Sequence, residues 1–421
     1  MRLRIALVLA LLPATSALAA EAVTYRGTLG KLPVIVELAE PDAAGSFVGR
    51  YAYLAKGGDI PLHGTMVAGG SMAFDEEAPC TRDLCKTAED DNVEKAPVGA
   101  TWRLKTEADG ARLTGSWKDV KSGKSLPIRL ERLASRSLPE GYDGFDALDP
   151  TNLPISRDGG LMRPTDLPYD FAKMRHPLRQ RQSQALGAAS YRMDLDERTG
   201  LDYPVVVTLP GGDVARVNDY LARQRLEFSL NSFYCLSTAY LGLGWWGSGG
   251  EGTPGYEGGA LVRLQLLTPR LIGLTESGSY YCGGAHPDNF STYKLGDIAT
   301  GEPIAAETLL RGWVARDDSG KIVDPATVAD RDMLSFGPSD DLVKFVNDRR
   351  DRSDATYEED CGTEDLLRSN LGVYFTQDEM IFTFRNLPHV IFACTDDLVK
   401  IPLAEARPLL TDKGARLLLG P

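Results

Sequence analysis

The chain has 421 residues, with 59 acidic and 46 basic side chains and a formal net charge of −13 at pH 7. This acidic balance argues against nucleic acid or an anionic membrane surface as a partner, and it allows attraction to a basic protein or a cation. Because a chain of this length is too long for one hydrophobic core, two domains and a connector are expected.

The first 20 residues have the composition of a secretory signal peptide. Arg2 and Arg4 precede a short apolar run over residues 5–12, and the segment ends in the small residues Ala19 and Ala20. An apolar core this short cannot span a bilayer, and no later segment has the ~18 uncharged apolar residues that a span needs. We therefore expect a signal peptide over 1–20 and a periplasmic or secreted protein with no transmembrane segment.

Six cysteines follow, an even number, which in an oxidising compartment predicts disulfides. Several pairings are possible, and a sequential pattern is preferred. The predicted pairs are Cys80 with Cys85, Cys235 with Cys282, and Cys361 with Cys394. We interpret them as structural cross-links rather than redox centres.

Residues 21–133 have the pattern of an all-β domain. Short runs rich in apolar and β-branched residues are separated by glycine turns, for example at 32–38, 47–54 and 126–131. Such regular short strands predict an antiparallel sandwich or a small barrel.

Residues 134–189 are rich in proline and glycine, which predicts an extended connector. A basic cluster near its end is interpreted as a solvated helix face; its members are Lys173, Arg175, Arg179 and Arg181.

Residues 190–421 mix strands with a few helices. A strand is predicted at 203–209, and Asp213 can cap a helix whose apolar residues, from Val214 to Phe228, share one face. Further helices are predicted at 305–314 and 341–348. Further strands are predicted at 260–267, 271–281, 373–376, 380–384 and 398–403. Because strands and helices do not alternate regularly, the predicted class is α+β.

Two stretches of this domain carry candidate binding residues. A glycine-rich loop bears Trp245 and Trp246, whose rings either stack on a sugar or a protein, or fold back onto the core. Another short stretch combines His286, Asp288 and Asn289 with a glycine pair. We predict that these five residues contribute to a binding surface.

Catalytic interpretations of the second stretch lack the partners they require. A zinc site needs three or four ligands, and the remaining histidines are isolated from His286. Ser291-x-x-Lys294 has the spacing of a serine nucleophile motif, but its companion motifs are missing and the surrounding pattern is strand-like. We therefore expect a structural turn at His286, with no catalytic residue, metal or cofactor.

The order of several elements resembles a known exported domain. These are Cys282-Gly283-Gly284-Ala285-His286-Pro287, then Thr300-Gly301, a late hairpin and Val399-Lys400-Ile401-Pro402. Over about residues 190–410 the chain is similar to the extracytoplasmic domain of the lysozyme-sensing anti-sigma factor. The same domain is the non-catalytic accessory part of a peptidoglycan deacetylase. The resemblance implies an α+β fold and binding to lysozyme or cell-wall material. The added cysteines and N-terminal β domain depart from it, so signal transduction is not implied.

The function expected from the sequence is that of an exported, non-enzymatic binding protein of the cell envelope. Its partner would be a basic protein such as lysozyme, or cell-wall glycan. One alternative is an envelope hydrolase that acts on peptidoglycan or esters around His286. A second alternative is an architectural envelope protein.

Overall fold

The computed structural model describes residues 20–420 except 43, 68, 80–95, 108–109, 142–143, 150–160, 241–254, 283–286 and 329–332. Within these ranges, the N-terminal part is a closed antiparallel barrel of eight strands, and the C-terminal part combines four small sheets with helices. The predicted fold class, a β-rich domain followed by an α+β domain, is confirmed.

The barrel strands pair in sequence order, and the last strand closes on the first. They are β1 (Glu21–Leu29), β2 (Leu32–Ala39), β3 (Ser46–Tyr53), β4 (Ile60–Val67), β5 (Ser71–Glu77), β6 (Val98–Thr106), β7 (Arg112–Asp119) and β8 (Ser125–Ser137). Side chains alternate across each strand. In β2, Val34 and Val36 therefore pack in the interior with Trp102, whereas Ile35 packs on the outer wall.

The described helices of the C-terminal part are α1 (Pro168–Lys173), α2 (Val214–Tyr240), α3 (Asp340–Asn347), α4 (Ala355–Cys361), α5 (Thr363–Ser369) and α6 (Asp412–Leu418). Short 3₁₀ turns cover Ala306–Leu309, Pro325–Thr327, His389–Cys394, Leu403–Glu405 and Arg407–Leu409.

Within the described ranges, the C-terminal strands form four separate sheets. The first sheet contains β9 (Arg179–Leu186), β10 (Ala189–Asp196) and β11 (Leu201–Thr208); the second contains β12 (Gly255–Leu267), β13 (Leu271–Tyr281), β14 (Asp288–Asp297) and β15 (Glu302–Ile304). The third contains β16 (Trp313–Arg316), β17 (Ile322–Val323) and β18 (Ser335–Pro338); the fourth contains β19 (Leu371–Phe375), β20 (Glu379–Phe384) and β21 (Asp397–Pro402).

Helix α2 is the longest described helix and packs its apolar residues into the core beneath the first two sheets. Val217 and Leu221 lie there beside Tyr203 of β11 and Ile272 of β13. The Asp213 carboxylate accepts a hydrogen bond of 3.1 Å from the Arg216 N–H at the start of this helix, as the sequence predicts.

The predicted helix over 305–314 is wrong. Only one 3₁₀ turn forms, at Ala306–Leu309, and a strand starts at Trp313. Gly312 takes a left-handed conformation (φ +84°), and the Arg311 N–H donates to the carbonyl of Leu409 at 2.7 Å. Because this backbone pairs with the distant C-terminus, the helix cannot continue.

Helix α1 lies on the outer wall of the barrel, where a buried network of charged side chains joins the two parts. Arg50 Nε and Arg136 Nε each donate to the Glu37 carboxylate at 2.8 Å. Arg50 Nη2 also donates to Asp170 Oδ2 at 3.0 Å. The Lys173 side chain is only 1% exposed and is paired within this network. The interpretation of Lys173 as part of a solvated helix face is therefore wrong.

Two of the predicted disulfides, Cys235–Cys282 and Cys361–Cys394, are confirmed. Cys80 and Cys85 lie outside the described residues. Disulfides persist in oxidising compartments, so the two bridges fit an extracytoplasmic protein. Among the helices in the described ranges, none has the length and apolar composition of a membrane span.

Candidate functional site

A cleft of about 350 Å³ lies between α2 and the sheet formed by β12, β13 and β14. One of its walls carries four aromatic rings, and we call it the aromatic cleft. The rings belong to Phe228 of α2, Tyr256 of β12, Tyr280 of β13 and Phe290 of β14. Strand register brings them together, because Tyr256 pairs with Tyr280 across the first two strands.

Each of the four rings contacts at least two of the others. The Phe228 centroid lies 4.6 Å from that of Tyr256 and 5.6 Å from that of Phe290. The Tyr280 and Phe290 centroids are 6.1 Å apart. The Tyr256 hydroxyl donates to the Phe228 carbonyl at 2.7 Å, which ties β12 to the helix. These spacings are those of tilted and edge-to-face aromatic pairs, which hold the wall in one arrangement.

The floor of the aromatic cleft carries a lysine between two carboxylates. Lys294 Nζ lies 2.9 Å from Glu227 Oε1 and 3.7 Å from Glu276 Oε2. The Glu276 side chain is only 3% exposed, and its carboxylate accepts a hydrogen bond of 2.9 Å from the Tyr203 hydroxyl. The floor therefore presents fixed donors and acceptors next to an apolar wall.

Burial and pairing shift the pKa values of both central groups. Burial raises the pKa of Glu276 above 4.5, although Lys294 and the Tyr203 hydroxyl favour its charged form. Burial alone would lower the pKa of Lys294, but Glu276 and Glu227 outweigh it and raise that pKa. Lys294 is consequently a cation at neutral pH and a hydrogen-bond donor rather than a base.

The sequence-predicted binding residues are only partly described. Asp288 and Asn289 begin β14 and border a neighbouring cavity. Asn289 Nδ2 lies 2.9 Å from His389 Nδ1. Trp245, Trp246 and His286 lie outside the described residues, so their part in a binding surface stays a prediction.

Sequence reasoning missed the floor and most of the wall of the aromatic cleft. Ser291 and Lys294 do lie in a strand, β14, where a separation of three places their side chains on opposite faces. Lys294 instead faces the carboxylates of Glu227 and Glu276. The one available signal was Glu276 itself, an acidic residue within the otherwise uncharged strand Leu271–Tyr281.

Comparison with known proteins gives one weak structural similarity. No protein-family model matches the chain, and no curated protein matches it. Among solved structures, the chain is weakly similar to a member of the DUF3298 family from Bacteroides fragilis NCTC 9343. The identity is 14% and the TM-score 0.31, over 56% of this chain and 92% of that chain.

Proposed function

We propose that this chain is an exported, non-enzymatic binding protein of the cell envelope that holds cell-wall glycan in the aromatic cleft. The observation that carries the proposal is the aromatic wall of the cleft above its charged floor. A sugar ring has an apolar face that packs on aromatic side chains, and its hydroxyls need fixed donors and acceptors. The volume of about 350 Å³ lies in the range of small-ligand sites. The sequence resemblance to a domain that binds lysozyme or wall material also supports it.

The charged floor supports binding rather than hydrolysis. Glycosidases place two carboxylates on either side of the scissile bond. Glu227 and Glu276 approach each other across the cleft, but Lys294 Nζ lies between them and contacts both. The two carboxylates are thus paired with one lysine rather than held on the two sides of a bond. The lysine also has a raised pKa, whereas a nucleophilic lysine requires a lowered one.

Calorimetric titration with the tetramer of N-acetylglucosamine tests the proposal on the disulfide-bonded protein. Phe290→Ala should weaken binding at least about tenfold, the equivalent of ~1.4 kcal/mol. Phe336→Ala is the matched control, because Phe336 is 58% exposed and lies in another sheet. The control should bind as the unchanged protein does. No binding at millimolar sugar, equal loss in both variants, or release of shorter sugars would overturn the proposal.

The net charge of −13 favours a second candidate partner, a basic protein such as lysozyme. Capture of c-type lysozyme at low salt, lost as salt rises, would support it. Trp245→Ala and Trp246→Ala test the predicted contact surface in the same assay. The hydrolase alternative predicts that His286→Ala abolishes ester or peptidoglycan cleavage without lowering the melting temperature; loss of stability alone would favour a structural turn.

A further inference from the structure

A second cavity, of about 270 Å³, adjoins the aromatic cleft, and Phe290 and Thr292 line both. Its other sides are formed by the first residues of β14 and by Asn386, Leu387 and Pro388. We call it the edge pocket. The two cavities therefore share a wall that is only two side chains wide.

The edge pocket lies along an incompletely paired strand. Strand β14 pairs with β13 from Asp288 to Asp297, but it pairs with β15 only at Leu295, Gly296 and Asp297. Within the described ranges, no strand pairs with residues 288–294 on the side away from β13. Alternate residues of an antiparallel strand direct their N–H and C=O groups to that side. The strand therefore offers backbone donors and acceptors to a ligand in the edge pocket.

Two asparagines, Asn289 and Asn386, line the edge pocket. Asn289 is oriented by its contact of 2.9 Å with His389. Asn386 has a left-handed backbone (φ +53°), and Asn370 Nδ2 donates to the carbonyls of Arg385 and Asn386 at 3.0 and 3.3 Å. Tertiary contacts thus hold a backbone conformation that few residues adopt, at a residue that lines the edge pocket.

On the basis of the proposed function, we propose that one glycan chain occupies both cavities. One sugar ring packs on the aromatic wall, and a linked ring lies in the edge pocket against the amides of Asn289 and Asn386. The ligand class is an oligosaccharide of at least two rings. The two volumes, about 350 and 270 Å³, lie near the lower end of the ~300–1,000 Å³ range of small-molecule sites, so each suits one ring rather than a larger ligand. The alternation of an apolar wall with an amide-lined pocket fits sugar rings better than a peptide.

The test compares N-acetylglucosamine with its tetramer by calorimetry on the full chain. The tetramer should bind at least about tenfold more tightly, since the second ring adds hydrogen bonds worth ~1 kcal/mol each. Asn386→Gly removes the amide and keeps a residue suited to positive φ. It should weaken tetramer binding severalfold and leave monosaccharide binding unchanged. A second variant, Ser291→Gln, fills the edge pocket from the strand and should have the same selective effect. It serves as the test if Asn386→Gly lowers the folded fraction.

Equal affinities for the monosaccharide and the tetramer would overturn this inference, and so would unchanged tetramer binding in both variants. Tighter binding of a free peptidoglycan stem peptide than of the tetramer would overturn it as well. In those cases the proposed function would still stand if the monosaccharide binds and Phe290→Ala weakens that binding. If neither sugar binds, the proposed function itself fails.

Discussion

Lys173 of helix α1 donates a hydrogen bond of 2.8 Å to Asp59, which lies just before barrel strand β4. The lysine side chain is almost wholly buried and also lies 3.6 Å from Asp170. The contact joins the barrel wall to a helix more than a hundred positions later in the chain. It is therefore part of what holds the two parts of the protein together.

Replacing this lysine should lower the free energy of unfolding. In Lys173→Met, Asp59 and Asp170 keep Arg50 as a partner but lose their other cation, so a buried carboxylate is left undercompensated. We expect a loss of about 3–5 kcal/mol in the free energy of unfolding, measured by urea denaturation. Lys56→Met, at an exposed position, should change it by less than about 0.5 kcal/mol. Similar values for the two variants would show that the buried network contributes little.

The same network should make the protein sensitive to acid. Burial would raise the pKa of Glu37, but the guanidinium groups of Arg50 and Arg136 outweigh burial and lower that pKa below 4.5. A lowered pKa in the folded state means that the stabilisation is present above pH 4.5 and is lost as the pH falls through the folded value. Denaturation at several pH values should show that the free energy of unfolding falls less on acidification in Glu37→Gln than in the unchanged protein. Identical slopes would contradict the assignment.

Glu276 should behave in the opposite way. Because its pKa is raised in the folded state, its contribution to stability is greatest below pH 4.5 and is lost as the pH rises through the folded value. Glu276→Gln keeps an acceptor for the Tyr203 hydroxyl and carries no charge. The melting temperature of the variant, relative to that of the unchanged protein, should therefore be higher at pH 7 than at pH 4. A relative melting temperature that is lower at pH 7 than at pH 4 would refute the expected direction.

The two disulfides should differ in their effect on binding. They close loops of 47 and 33 residues, so the chain-entropy model gives each about 4 kcal/mol, an upper-end value. Of these two described bridges, Cys235–Cys282 is the one that joins α2 to the end of β13 beside the aromatic cleft. The double alanine variant of Cys235 and Cys282 should lose stability and affinity for the N-acetylglucosamine tetramer. The double alanine variant of Cys361 and Cys394 should lose stability but keep its affinity for the tetramer. Equal tetramer affinities of the two folded double variants would contradict this prediction.

Local patterns in the sequence were sufficient for much of the fold. The short alternating runs of residues 21–133 predict the barrel, and Asp213 followed by Val214 and Val217 predicts the start of α2. The predicted hairpin near residues 373–384 is present as β19 and β20. In each case the periodicity of apolar residues and the residue that ends the element lie within one short stretch.

The aromatic cleft and the buried network could not be predicted in this way, because both depend on pairing between distant segments. Lys173 has the local surroundings of a surface lysine, and its partner Asp59 belongs to the barrel. Lys294 meets Glu227 of α2 only because β13 and β14 pack under that helix. Hydrophobic periodicity indicates which face is buried, but it does not identify the charged partner that meets a side chain there.

Helix α2 has 27 residues and is about 40 Å long. Near its middle, Phe228 forms part of the aromatic wall, and five positions later Phe233 packs against Gly57 of the barrel. Because a regular helix has a fixed rise per residue, the attachment points of these two rings keep a fixed separation. One helix therefore sets the position of the aromatic wall relative to the outside of the barrel.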